Sequence, residues 1–215
     1  MRDIFKIKHG IILVAVTLFA LFLPKAKGQS LEVGAFGGGA YLLNDYERAI
    51  PFKNGGYTMG ALARLNFNTR WAVRLSYNYG HINYYTSDAQ TTPAETSIND
   101  VSVVAEFNFF DYKTGGKSKS SIFSPYLLGG ISGFAYDSLN TSKFSGALTF
   151  GLGVKYSLTK KIGVGFEWAM RKTFTDNIDI DDRDGTFFYG SDWYNFTGIT
   201  VTYKLDIFNS KRCKN

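Results

Sequence analysis

The 215-residue chain holds one cysteine, Cys213, and two histidines, and it has no apolar run long enough to cross a bilayer as a helix. A single cysteine excludes an internal disulfide framework and a cysteine zinc site. The longest uncharged apolar run, residues 11–23, is thirteen residues long, well short of the ~20 that a spanning helix needs. Arg2, Lys6 and Lys8 precede it against one acid, Asp3, and Ala26, Lys27 and Gly28 follow. That layout predicts a secretory signal peptide over residues 1–28 and a mature chain of 29–215 forming one domain. No cysteine sits just after the expected cleavage point, so an N-terminal lipid anchor is not expected. Without a later apolar helix, the one membrane-spanning structure open to the mature chain is a closed β-barrel.

Charge and histidine are equally uninviting to other function classes. The formal net charge of +6 comes largely from the leader, whose Arg2, Lys6, Lys8, Lys25 and Lys27 face Asp3; the mature chain keeps 19 basic and 17 acidic residues. The basic balance is thus a targeting feature, and no nucleic-acid partner is expected. His81 is the one histidine left after cleavage, in the run Gly80, His81, Ile82, Asn83. A Ser–His–acid site needs a hydroxyl nucleophile beside its base, and none is visible, so the chain is expected to be non-enzymatic and without a cofactor. The acidic run around Asp176, Asp179, Asp181, Asp182 and Asp184 raises calcium, but Arg183 breaks the alternation of ligands and no distal Glu follows. No metal site is expected; the run reads as a loop facing solvent or lipopolysaccharide.

What the chain has in abundance is a period of two, from residue 31 to residue 208. Between 57 and 67, Tyr57, Met59, Ala61, Ala63, Leu65 and Phe67 fall on one face, while Thr58, Gly60, Arg64 and Asn66 fall on the other, with Leu62 the one apolar intruder. Alternate residues of a strand face opposite sides of its sheet. Strands with one aromatic-aliphatic face and one polar face, repeated through the chain, predict an outer-membrane barrel with its apolar face against lipid. Eight strands are expected, at 31–43, 56–68, 71–85, 98–110, 124–136, 144–158, 162–173 and 193–207. The fold class is therefore all-β: an eight-stranded antiparallel transmembrane β-barrel of OmpA/OmpX-like architecture. Short or polar connections (68–70, 111–121, 159–161) alternate with longer ones (44–55, 86–97, 137–143, 174–192), which places both termini on the short-turn, periplasmic side.

The lipid face includes Leu148, Phe150, Leu152, Val154 and Tyr156; Ile162, Val164, Phe166, Trp168 and Met170; and Ile199, Val201, Tyr203, Leu205 and Ile207. Trp71, Tyr77, Tyr79, Tyr156, Trp193 and Tyr203 fit interfacial girdles. The inward frame carries glycine and a set of charges: Arg64, Arg74, Glu106, Lys155, Glu167, Arg171 and Lys204, with Glu32 beside them. Their spacing from the short turns predicts a cluster in the periplasmic half. Such a network serves either as an ion path or as a paired plug; an eight-stranded lumen is only wide enough for side chains, which favours the plug. The periplasmic rim is basic, through Lys117, Lys119, Lys160, Lys161, Lys211 and Arg212, and Cys213 lies within it. This rim is the expected docking surface for a periplasmic partner, with outer-membrane lipid and lipopolysaccharide the other contacts.

Residues 165–203 carry a family likeness. Glu167, Arg171, Thr173, Phe174, Thr175 and Asp176, then Asp181 and Asp182, then Trp193, Tyr194, Phe196 and Gly198 resemble the closing strands of the PorG-like outer-membrane barrels of Bacteroidota, and the Lys211–Lys214 tail is similar to the cysteine-bearing ends of many members. Asn177 and Ile178 interrupt a stretch that runs directly into the acidic pair in that family. The resemblance implies a non-enzymatic component of the type IX protein secretion system, partnered with a periplasmic ring lipoprotein and a ring subunit, and anchoring or positioning that ring beneath the outer membrane. The alternative is a free-standing OmpX-like structural or adhesion barrel, or a small porin.

Overall fold

The computed structural model describes residues 30–43, 56–85, 93–116, 119–138, 141–174 and 193–205. They form eight strands: β1 (Ser30–Leu43), β2 (Gly56–Asn66), β3 (Trp71–Tyr85), β4 (Pro93–Asn108), β5 (Phe123–Ser138), β6 (Thr141–Ser157), β7 (Ile162–Thr173) and β8 (Trp193–Leu205). A four-residue helical turn, α1 (Lys119–Ile122), precedes β5. Each strand pairs antiparallel with its neighbours in sequence, and β1 pairs with β8, closing the sheet into a barrel. The expected fold class is the observed one.

The register sets the geometry. The ladder from Asn66 passes through Ala72, Glu106, Leu128, Gly151, Ala169, Phe196 and Ala40 and returns to β2 at Gly56, ten residues along the strand from its start. With a rise of about 3.3 Å per residue and strands about 4.8 Å apart, that stagger tilts the strands by about 41°. Each residue then climbs about 2.5 Å along the barrel axis, and each ladder step from β2 toward β3 and onward climbs about 3 Å. The lower rim carries the connections 67–70, 109–122 and 158–161 and the outer ends of β1 and β8. The upper rim carries the remaining four.

Two expected connections differ from the structure. β5 and β6 pair out to Ser138 and Thr141, so the expected loop 137–143 shrinks to two residues. β4 begins at Pro93 rather than 98, pairing Pro93 with Tyr85. In both places the chain gains ladder hydrogen bonds that an alternation of side chains cannot report, because Thr, Ser, Asn and Asp on both faces erase it.

The barrel is inside out. Leu75, Ile131, Leu152, Phe166, Ile199 and Val201 are 47–63% exposed on its outer wall. Trp71, Phe107 and Phe109 form a run of ring contacts at the lower rim, with Trp71–Phe107 centroids 4.9 Å apart. On β3, Trp71 and Tyr79 stand about 20 Å apart in height, close to the apolar band of an outer-membrane barrel. Of the expected lipid-facing residues, Ile207 lies outside the described residues; those on β6 are all exposed, while Ile162, Val164, Met170 and Leu205 are half-covered by outer-wall neighbours. The inner wall buries polarity instead: Glu32, Asp100, Glu106 and Glu167 against Arg64, Arg74, Lys155 and Arg171, four acids to four bases.

Candidate functional site

Small residues on the inner wall decide where the long ones lie. At Gly153 a Cβ would stand 2.7 Å from the Tyr126 ring, and at Gly80 one would stand 3.1 Å from Phe196. Glycine at these positions lets aromatic rings lie flat across the sheet, and the rings in turn wall in the charges.

The lower half of the lumen is built around Glu106, which is fully buried. Its carboxylate lies 2.8 Å from Arg64 Nε, 3.2 Å from Arg74 Nη1 and 2.5 Å from Lys155 Nζ. Each cation has a further partner. Arg64 donates to Glu32 at 3.1 Å, and Arg74 grips Glu167 through two hydrogen bonds of 2.5 and 2.9 Å. Lys155 donates to Asn108 Oδ1 at 2.9 Å and sits 4.3 Å from the centroid of the Tyr126 ring. Tyr126 OH donates to Glu167 at 2.6 Å. Charges removed from water survive when pairing and hydrogen bonding replace hydration; here one carboxylate joins three cations and two more carboxylates share them out.

The upper half holds a second, separate pair. Arg171 Nε lies 3.2 Å from Asp100 Oδ2, Tyr194 OH donates to the same oxygen at 2.9 Å, and the Arg171 guanidinium rests 4.2 Å from the Phe196 ring centroid. Phe134 and Tyr136 close over this pair with Tyr194, Phe196, Ile98 and Ala40. Between the two layers is a small void of about 10 Å³, room for about one water, whose walls include Phe36, Leu62, Arg74 and Ser76. Arg74 Nε and Ser76 Oγ make no hydrogen bond there.

The lower mouth is closed by the β4–β5 connection. Tyr112 and Thr114 are buried beneath the barrel, and burial pushes the Tyr112 phenol pKa up. Thr114 Oγ1 donates to Glu32 at 2.6 Å, Lys204 Nζ donates to the Thr114 carbonyl at 3.2 Å, and Gly115 N donates to Ser157 Oγ at 2.8 Å. Gly115 has φ +81°, and a Cβ on it would run into the Lys160 carbonyl. Only glycine lets the loop turn here and press against the β6–β7 turn. A recess of about 240 Å³ remains beside it, between Asn66, Thr69 and Lys113.

Arg64, Arg74, Glu106, Lys155 and Glu167 meet in the lower half as expected, with Glu32 among them and Lys204 at the mouth. Arg171 does not join them: it stands in the upper half, held by Asp100, which the sequence reading did not single out. Of the expected docking residues, Lys160 and Lys161 are exposed in the β6–β7 turn, Lys161 near the Tyr203 ring at 5.7 Å, and Lys119 opens α1. Lys117, Lys211, Arg212 and Cys213 lie outside the described residues, as do Asp176, Asp181 and Asp182. Within the family motif, Thr173, Tyr194 and Phe196 are buried, Phe174 is exposed, and Trp193 meets Phe150 edge-on at 5.7 Å. His81 faces outward, stacked against Tyr57 at 5.6 Å. Among the described residues no cluster of His, Cys, Asp or Glu is arranged to hold a metal.

Comparison with known proteins agrees with this architecture. The chain is similar to the N-terminal β-barrel domain of Pseudomonas aeruginosa OprF, at 15% identity over 82% of this chain and 97% of that one, with a TM-score of 0.50. It is also similar to Neisserial surface protein A, at 16% identity over 83% of this chain and 100% of that one, with a TM-score of 0.53. Identities this low speak for the fold alone. No curated protein sequence matches. Residues 11–214 match the family described as Domain of unknown function (DUF6089), and the chain belongs to that family.

Proposed function

We propose that this DUF6089 member is a non-enzymatic outer-membrane β-barrel of a Gram-negative cell, with its termini and lower rim in the periplasm, serving the type IX secretion system. In this reading it anchors or positions the periplasmic ring, and a ring lipoprotein and ring subunit dock on the lower rim. The observation that carries the membrane part is the inverted burial: an outer wall of exposed aliphatic and aromatic side chains around an interior of paired charges. In water that arrangement would leave the apolar belt exposed; in lipid that cost disappears, while the buried ions are held by their pairing. Support for the secretion part comes from the sequence likeness and from two structural facts. The likeness residues Glu167, Arg171, Tyr194 and Phe196 are interior packing residues, so they preserve a rigid filled barrel. That barrel presents Lys113, Lys160 and Lys161 on its closed periplasmic face, a surface suited to an acidic protein.

The test is a gentle detergent pull-down of the tagged protein, with and without reductant, beside Cys213→Ser. Recovery of a ring lipoprotein, with a covalent adduct lost in Cys213→Ser, is the expected result. Recovery of the barrel alone would refute the secretion role and leave a free-standing OmpX-like barrel.

A further inference from the structure

The apolar outer wall does not end at one height. Tyr79, Asn99, Ala135 and Phe144 share one ladder from β3 to β6. Its three steps climb about 9 Å toward the upper rim. At the low end the outer wall has already turned polar. Tyr77 OH donates to Asn99 at 2.8 Å, Tyr79 OH shares a hydrogen bond with Ser97 at 3.1 Å, and His81 stacks on Tyr57. At the high end Phe144 is 78% exposed, the largest value among the exposed large apolar side chains described. Below it, on β6 and β5, the wall continues through Leu148, Phe150 and Ile131 without a charge.

Phe174 extends the patch. Its backbone N–H donates to the Gly146 carbonyl at 3.0 Å, on the ladder Tyr77, Val101, Gly133, Gly146, so it stands about 12 Å above Tyr77. Two bare glycines seat the rings: a Cβ on Gly133 would lie 2.9 Å from Phe144, and one on Gly146 would lie 3.2 Å from Phe174. Lys172 turns its ammonium over the Trp193 ring at 5.3 Å, toward β8.

We propose that the β5–β6 wall, with Phe174 at its flank, is a lipid-contact surface reaching above the interface that β2–β4 define. The occupant is lipid acyl chain, because the patch's described side chains, Phe144, Leu148, Phe150, Ile131 and Phe174, are apolar and continuous with the membrane belt. The bilayer is then thicker beside β5–β6 and thinner beside β2–β4, where the tyrosine, asparagine, serine and histidine ladder meets headgroups. A belt of unequal height deforms the bilayer around it at modest cost per ångström. The proposal rests on the membrane reading above and is independent of the secretion role.

The experiment is spin-label accessibility in dioleoyl phosphatidylcholine vesicles, on a Cys213→Ser background, with single labels at Phe144→Cys, Phe174→Cys, Leu148→Cys and Asn99→Cys. Retention of the fold is checked for each by the migration of unheated samples on gels. Collision rates with oxygen, which partitions into lipid, are compared with those of a water-soluble nickel chelate. Phe144→Cys and Phe174→Cys are expected to favour oxygen severalfold, as Leu148→Cys does, with the ratio reversed at Asn99→Cys. Nickel access at 144 and 174 equal to that at 99 would overturn the proposal. So would exclusion of both reagents with spin–spin broadening, which would assign the patch to a second copy of the chain. Nickel access at Leu148→Cys would sink the membrane reading itself, and this proposal with it.

Discussion

Glu106→Gln is the most informative single change in the lumen. Glu106 is wholly buried and touches three cations. Arg64 would keep Glu32, and Arg74 would keep its two-pronged contact with Glu167. Lys155 would lose its carboxylate partner and retain Asn108 Oδ1 and the Tyr126 and Tyr112 rings. Orphaning one member of a buried ion pair costs about 3–5 kcal/mol, and because glutamine still offers an oxygen, the lower end, about 3 kcal/mol, is expected here. Adding Lys155→Met removes the orphaned charge, so the double variant should recover more than half of the loss. The assay is urea unfolding in lipid vesicles, read by the gel shift between folded and heated forms. A single variant within about 1 kcal/mol of the parent, or a double variant whose loss equals the sum of both singles, would refute the network as described.

Three further outcomes follow from the same geometry. Gly153→Leu drives a side chain into the Tyr126 ring and should cost about 1–3 kcal/mol by overpacking in the same unfolding assay, whereas Gly129→Ala, at a position open to space, should cost far less. Gly115→Ala forces a side chain into a left-handed turn against Lys160 and should lose about 1–3 kcal/mol, with faster protease cleavage between 109 and 122. The filled lumen should give no steady conductance in planar bilayers; a stable open level from the unmodified protein would contradict the plug.

The strand frame was legible because it repeats one physical rule, apolar out and polar in, eight times, and strands such as Trp71–Tyr85 and Ile162–Thr173 begin and end where that rule does. The faces followed, and so did five of the interior charges, since Arg64, Arg74, Glu106, Lys155 and Glu167 all point inward near the lower rim. Alternation fixes a residue's side of the sheet but not its partner across the lumen, which depends on the ten-residue stagger. That is why the sequence places Arg171 with the lower cluster, while its partner Asp100 lies close to the expected start of β4 at 98, where alternation carries no sign of the pairing. The Lys, Gly and Ser run after β4 read as an exposed polar turn. Its inward fold depends on Thr114 reaching Glu32 and on Gly115 adopting φ +81°, contacts between segments 82 residues apart in sequence.

The measurement that tests the central claim most directly is a cysteine scan of β6 from Leu148 to Lys155 on a Cys213→Ser background. Each cysteine carries an environment-sensitive fluorophore, in vesicles containing brominated lipid. An inside-out barrel predicts strong quenching at Leu148, Phe150, Leu152 and Val154, and little at Thr149, Gly151, Gly153 and Lys155. Quenching in the opposite phase, or in no phase at all, would contradict it.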